Sequence, residues 1–180
     1  MTVYIAFLRG INVGGRRVVK MEPLRAIMES LRFQNVKTYI QSGNVLFEAE
    51  EHQPDLLRLS IESKLEQELG FSVPTIVRTR ADLEQVVIEN PFPVTTELEQ
   101  ATLYITFLER APEEQALAKL NSYRNDADEF RVAGCEVYLR CVTGYGTTVF
   151  SNNFFESMLE VPATTRNWKT VNKMLSLAKA

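Results

Sequence analysis

The sequence contains nearly the same pentapeptide twice, as Tyr4-Ile5-Ala6-Phe7-Leu8 and as Tyr104-Ile105-Thr106-Phe107-Leu108. Four of the five positions are identical, and both copies are unbroken apolar runs. Such runs predict strands that are covered on both faces. A match at one fixed offset predicts an internal repeat.

Further pairs match at a second offset of 88 residues: Val73-Pro74 matches Val161-Pro162, and Arg78-Thr79 corresponds to Arg166-Asn167. The second pair ends in Thr79 and in Asn167, both of which are residue types typical of a helix N-cap. The two offsets together predict two halves with the same order of elements. A break at Asn90-Pro91-Phe92-Pro93 separates the halves.

Hydrophobic spacing and turn residues predict the order β-α-β-β-α-β in each half. In the first half we expect strands at 3–8, 36–40, 45–47 and 73–77, and helices at 21–31, 55–70 and from Thr79. In the second half we expect strands at 104–108, 130–132 and 137–142, a fourth strand aligned with 73–77 at the 88-residue offset, and helices after Pro112, Ser151 and Asn167.

This order is that of the ferredoxin-like plait. The sequence predicts an α+β protein made of two tandem ferredoxin-like (βαββαβ) α/β plaits, 1–93 and 94–180, related by internal duplication and packed as one unit. The sheet faces that carry no helices are then buried either against each other or by continuation into one sheet.

Composition excludes several classes of protein. The chain has 180 residues, of which 45% are hydrophobic and 24% are charged, values that argue against a disordered tail, a disulfide-stapled miniprotein and a collagen-like fibre. No apolar run approaches the roughly 20 residues of a membrane span, and no secretory pattern is found. We expect a cytoplasmic protein with no membrane partner.

The few histidine and cysteine residues argue against metal chemistry. Cys135 and Cys141 are predicted to be too far apart for a disulfide, and His52 lies in an acidic loop. Because a zinc site needs three or four protein ligands, we expect no metal and no cofactor.

Charge is segregated along the chain, although the net charge is only −3. Residues 9–37 carry seven basic side chains against Glu22 and Glu29, and residues 161–180 carry four basic side chains and no acid. Residues 48–68 are mainly acidic. The pattern indicates either ordinary solvated faces or an electropositive end that attracts an anion.

The candidate ligand site starts from the glycine-rich basic loop at 9–17. Glycines let a backbone approach a ligand closely, and arginines bind phosphate or carboxylate oxygens. The loop matches neither nucleotide-binding fingerprint. Plait topology brings the polar turn at 41–44 beside it. The predicted ligand-binding residues here are Arg9, Gly10, Asn12, Gly14, Gly15, Arg16, Gln41, Ser42 and Asn44. The alternative is that the turn side chains only stabilise the turn.

A second candidate cluster is Arg166, Asn167 and Lys169, which begins the last helix beside Trp168. The helical spacing of Trp168 with later apolar residues favours a core position for this ring. Whether Arg166 shares one site with Arg9, or forms a second site, is left open by the sequence.

Four motifs carry a resemblance to a known family. They are the segments 8–15, 39–45, 90–92 and 161–168. On these residues the chain resembles the bacterial family known as domain of unknown function 1697 over essentially its whole length. The resemblance implies a pair of ferredoxin-like plaits and no assigned activity.

Three functions of different class are compatible with these features. The first is an uncharacterised protein, either a binding protein or an enzyme of unassigned reaction, that holds a small anionic ligand bearing phosphate or carboxylate. The second is nucleic-acid binding, which the acidic pI and the lack of an aromatic RNA-binding signature disfavour. The third is a protein-interaction module without catalysis. No catalytic residue is assigned, and the oligomeric state stays open.

Overall fold

The strands form two separate antiparallel sheets of four rather than one continued sheet. The computed structural model describes residues 1–50, 52–124 and 127–180. Contacts divide the chain into two units, Met1–Gln85 with Lys173–Ala180, and Val86–Asn172. The predicted boundary after residue 93 stays a prediction.

The first unit has the strand order β2-β3-β1-β4. Its elements are β1 (Thr2–Leu8), α1 (Met21–Ser30), β2 (Gln34–Tyr39), β3 (Asn44–Ala49), α2 (Pro54–Leu69), β4 (Thr75–Thr79) and the start of α3 (Arg80–Ile88). This order confirms the predicted elements of the first half. The last strand begins two residues later than expected.

The core of the first unit lies between the sheet and its helices. Tyr4, Ala6 and Leu8 of β1 belong to one apolar cluster with Leu24 of α1 and Ile61 of α2. The alternate side chains Ile5 and Phe7 are fully buried as well. The predicted burial of both faces of β1 is therefore confirmed.

Helix ends follow the residues that the sequence indicated. Gly70 ends α2 in the left-handed conformation, with φ of 78°, which glycine adopts without a Cβ penalty. Thr79 and Asp82 form a reciprocal capping box at α3, since the hydroxyl of Thr79 accepts from Asp82 N and the Asp82 carboxylate accepts from Thr79 N.

The second unit has the equivalent strand order, β6-β7-β5-β8. Its elements are α4 (Glu97–Thr102), β5 (Leu103–Leu108), α5 (Glu114–Asn121), β6 (Glu129–Ala133), β7 (Glu136–Arg140), α6 (Asn152–Leu159), β8 (Ala163–Asn167) and the start of α7 (Trp168–Lys179). Helix α4 was not expected. Trp168 is 6% exposed, which confirms its core position.

The same hydrogen bonds recur in both units. Leu8 N donates to Gly43 O at 2.8 Å, and Leu108 N donates to Cys135 O at 2.8 Å. After the strand, Arg9 N donates to Pro74 O, as Glu109 N does to Pro162 O. The chain thus consists of two similar α/β units.

Helix side chains repeat this equivalence. Glu62 of α2 accepts from Thr75 N at 2.9 Å, and Glu156 of α6 accepts from Ala163 N at 2.7 Å. In each unit a glutamate of the second long helix therefore accepts from the first N–H of the last strand, although only the strand residues, Thr75 and Ala163, are related by the 88-residue offset. Such a bond satisfies a strand-end donor that has no ladder partner.

Two of the connections that differ in length between the units bear on the site and on stability. The first is the link from β1 to α1, which takes the twelve residues 9–20, whereas the link from β5 to α5 takes the five residues 109–113. The second is the segment from 141 to 151, which is held by Asp128. This carboxylate is 2% exposed and accepts from Val142 N, Thr143 N, Thr143 Oγ1 and Thr148 Oγ1.

No helix in the described part of the chain has both the length and the apolar composition needed to cross a bilayer. A cytoplasmic location stays a prediction.

Candidate functional site

The glycine-rich loop is a small β-hairpin, here called the basic hairpin (residues 9–20). Asn12 N donates to Arg17 O and Arg16 N donates to Val13 O, both at 3.1 Å. Gly14 and Gly15 form the tip with φ of 58° and 72°, the combination that a tight two-residue hairpin turn requires. A Cβ at either glycine would meet nothing within 4 Å, so the tip projects away from the rest of the unit.

Asn12 ties the basic hairpin to the turn between β2 and β3. Its side-chain Nδ2 donates to Gln41 O at 2.7 Å and to Val19 O at 2.9 Å, while its Oδ1 accepts from Val19 N at 2.8 Å. The predicted adjacency of loop and turn is therefore confirmed. All three of these bonds are structural, so the Asn12 amide is occupied in holding the two segments together.

The β2–β3 turn lies directly against the end of β1. Gly43 has φ of 87°, and a Cβ there would lie 2.8 Å from both Leu8 Cβ and Ile11 Cδ1. Asn44 is fully buried, and its amide donates to Tyr39 O and Ser42 Oγ. For Asn44 the turn-stabilising interpretation is what the geometry supports.

Arg17 anchors the basic hairpin to the segment before β4. Its Nη2 donates to Ser72 O, and its guanidinium lies 4.9 Å from the centre of the Phe71 ring, within cation–π range. Gly10 has a left-handed φ of 70°, which favours glycine, and a Cβ there would be in ordinary contact with Arg17 Nη1 at 3.5 Å. Arg9 is half-buried at the base of the hairpin.

Arg16, Lys20, Gln41 and Ser42 are the exposed polar side chains of this surface. Within the described residues, the side chains of Arg16 and Lys20 make no hydrogen bond or ion pair. Arg16 and Lys20 lie on a segment that is bonded to this turn through Asn12, and their side chains are of the type that binds oxyanions. We call these four residues and the tip glycines the hairpin–turn surface.

The second predicted cluster lies in the second unit. Arg166 of β8 is 8% exposed, and its Nη1 donates to Thr164 Oγ1 at 2.8 Å and to Thr165 O at 3.0 Å. Burial lowers the pKa of Arg166 to about 10, so the side chain is still protonated at neutral pH. Asn167 caps α7 by accepting from Thr170 N at 2.8 Å. Lys169 is exposed. A ligand role for these three residues stays a prediction.

The sequence prediction included Arg16 among the ligand-binding residues and left out Arg17, but it gave no physical reason for the distinction. The two adjacent arginines look alike in the sequence, but Arg17 is used internally and Arg16 faces solvent. Only the partner at Ser72, which is 55 residues away, distinguishes them. No local pattern contains that information.

Comparison with known proteins places the chain in a family. Residues 1–138 match the family model described as "Protein of unknown function (DUF1697)". The chain belongs to this family. Three of the four motifs that suggested the resemblance lie within the matched residues, and the segment 161–168 lies beyond them.

A solved structure shares the fold of this DUF1697 protein. The conserved bacterial protein SP0830 from Streptococcus pneumoniae superimposes with a TM-score of 0.73 at 21% sequence identity, covering 100% of this chain and 99% of that chain. No curated protein matches the sequence.

Proposed function

We propose that this DUF1697 protein binds a small anionic molecule, bearing phosphate or carboxylate, at the hairpin–turn surface. The observation that carries the proposal is the bond from Asn12 Nδ2 to Gln41 O at 2.7 Å. It joins a basic segment to a polar turn, so that exposed side chains of both kinds lie on two segments bonded to each other. Arg16 supplies the guanidinium, and Gln41 and Ser42 supply neutral hydrogen-bonding groups.

The difference between the units supports this location. The basic hairpin is present in the first unit, whereas the equivalent link of the second unit is five residues long. We propose that both units are ferredoxin-like plaits derived by duplication, a relation supported by their strand orders and by the equivalent hydrogen bonds. An added segment on one copy is then a natural position for a function that the other copy lacks.

Titration calorimetry with inorganic phosphate, sugar phosphates and dicarboxylates tests the proposal. We expect one of these classes to bind, and the double variant Arg16→Ala with Gln41→Ala to weaken binding about 10-fold or more, because a charge-assisted hydrogen bond contributes about 1.5–3 kcal/mol. Lys119→Ala, which removes an exposed cation of α5, is the matched control. An unchanged affinity in the double variant contradicts the proposal.

A protein-interaction module is the second candidate, because exposed apolar side chains flank the same surface. Val13 is 67% exposed, Val18 is 63% exposed and Ile40 in the adjoining turn is 48% exposed. Clustered exposed apolar residues are typical of contact surfaces. Light scattering of the wild type and of the double variant Val13→Ser with Val18→Ser tests self-association. A wild-type protein that is monomeric would contradict self-association through this surface.

A further inference from the structure

The two basic segments of the sequence both contribute to a groove of the first unit whose lining contains none of the residues proposed above. This groove, here called the β2 groove, has a volume of about 490 Å³. It is lined by Arg25 of α1, by Val36, Lys37, Thr38 and Tyr39 of β2, and by Lys173 and Leu177 of the last helix. Small-ligand sites commonly have volumes of about 300–1,000 Å³.

Three cations from three different elements line this groove. Arg25, Lys37 and Lys173 are exposed, and no acidic side chain belongs to the lining. Within the described residues none of the three forms an ion pair, and the one side-chain bond among them is a long contact of 3.5 Å from Arg25 Nη2 to Thr38 Oγ1. The lining of the groove therefore carries three positive charges and no negative charge.

A neighbouring depression of the surface differs from the β2 groove because it has acidic side chains near its cations. It has a volume of about 430 Å³ and shares Lys37 and Leu177 with the β2 groove, but its lining includes Glu48. Its two other cations, Arg80 and Lys179, both approach Glu84, at 3.9 Å and 3.4 Å. Carboxylates thus offset part of the positive charge of the depression, whereas the lining of the groove contains no carboxylate.

The rest of the lining indicates what kind of anion fits. Val36 is buried and Leu177 is half-buried, which gives the groove apolar walls, while Tyr39 adds an aromatic ring and Thr38 a hydroxyl. A bare inorganic ion uses the cations but not the apolar walls. A ligand with two or three negative charges and a ring or apolar part uses both.

We propose that the β2 groove binds a phosphorylated small molecule of nucleotide size, with its phosphates between Arg25, Lys37 and Lys173 and its ring or apolar part on Val36, Tyr39 and Leu177. This site is independent of the hairpin–turn surface, because none of its lining residues belongs to that surface. The cations act by charge-assisted hydrogen bonds and long-range attraction. Because the groove is open, affinity falls as ionic strength rises.

Titration calorimetry of the full chain with ADP, a sugar bisphosphate and pyrophosphate tests the proposal. We expect ADP or the sugar bisphosphate to bind more tightly than pyrophosphate. The triple variant Arg25→Gln, Lys37→Gln and Lys173→Gln should weaken binding about 100-fold or more, since each lost charge contact costs several-fold in affinity. These side chains are exposed, so the variant should retain the wild-type thermal transition.

The matched control is Arg80→Gln with Lys179→Gln, which removes cations of the neighbouring depression. We expect it to change affinity by less than about 3-fold, because neither side chain lines the β2 groove. Arg16→Gln distinguishes the two proposed sites. Loss of ADP binding in Arg16→Gln but not in the triple variant overturns the groove and supports the hairpin–turn surface.

Two further results overturn the inference. One is that none of the three probes binds at millimolar concentration. The other is that a single-stranded oligonucleotide binds with steep salt dependence while ADP does not, which assigns the cations to a polymeric phosphate backbone.

Discussion

Gly43 is the residue at which the β2–β3 turn approaches β1 most closely. Replacing it with alanine places a Cβ 2.8 Å from Leu8 Cβ, in a backbone with φ of 87°. Because both the close approach and the left-handed conformation oppose a side chain, we expect Gly43→Ala to lower the free energy of unfolding by about 2–4 kcal/mol. Urea denaturation measures this change.

Gly134 provides the control for this substitution. It also has a left-handed φ, 59°, but a Cβ there meets nothing within 4 Å. Gly134→Ala should therefore cost only about 1 kcal/mol. Equal losses of unfolding free energy in Gly43→Ala and Gly134→Ala would mean that the contact between the β2–β3 turn and β1 is not tight.

Asp128 is the second residue with a clear prediction. Burial alone would raise its pKa, but hydrogen bonds from Thr143, Thr148 and the backbone of Val142 outweigh that effect and lower the pKa below its usual value of 3.8. The stabilisation from this lowered pKa is present above the unfolded-state pKa and is lost as pH falls through the folded-state pKa.

Asp128→Asn should therefore destabilise the chain by about 2 kcal/mol at neutral pH. The difference from the wild type should shrink as pH falls below about 4. Asp55→Asn is the control, since the Asp55 side chain is 81% exposed and its loss should cost about 0.5 kcal/mol or less. A difference that stays constant across this pH range would show that the carboxylate charge is not involved.

At the scale of elements, hydrophobic period and capping residues predicted most of the helices and strands. Ser151 caps α6 by accepting from Phe154 N, and Gly70 ends α2, both at the positions expected. Helix α4 was missed although its start carries a capping box, Thr96 with Glu99. It has only six residues and no buried side chain, so the periodic signal of a buried face is absent.

The equivalent glutamates of α2 and α6 give a prediction at this scale. Glu156→Ala leaves Ala163 N at the start of β8 without its acceptor, and should lower the free energy of unfolding by about 1–2 kcal/mol. Glu62→Ala should have a similar effect through Thr75 N.

Glutamine retains an acceptor oxygen at each of these positions. Glu156→Gln and Glu62→Gln should therefore remain within about 0.5 kcal/mol of the wild type. Urea denaturation of the four variants checks the equivalence. A large loss of unfolding free energy for the alanine variant of one unit and none for that of the other would contradict the view that the two bonds stabilise their units equally.

At the scale of the whole molecule, the sequence repeat predicted two similar units, and the structure has two α/β units with equivalent strand orders. The candidate site was predictable in part. Strand topology brings the basic hairpin to the β2–β3 turn. Which of its side chains form internal hydrogen bonds, and which remain exposed, depends on contacts over long sequence separations. Asn12 with Gln41, and Arg17 with Ser72, are pairs that no local pattern reveals.

The β2 groove, too, could not be predicted from local sequence patterns. Charge counting found both basic segments, but only the folded chain brings Lys173 next to Arg25 and Lys37. A sum of charges along the sequence does not show which cations are balanced by acids in three dimensions.

A nitrogen-15 NMR titration with a phosphorylated small molecule tests the central claim, that one of two similar units has acquired an anion-binding hairpin. We predict saturable shifts of the amide signals of residues 14–16 and 41–42, with the signals of the equivalent link at 109–113 unchanged. Shifts absent from the hairpin and turn at saturating ligand, or equal in both links, would contradict the account.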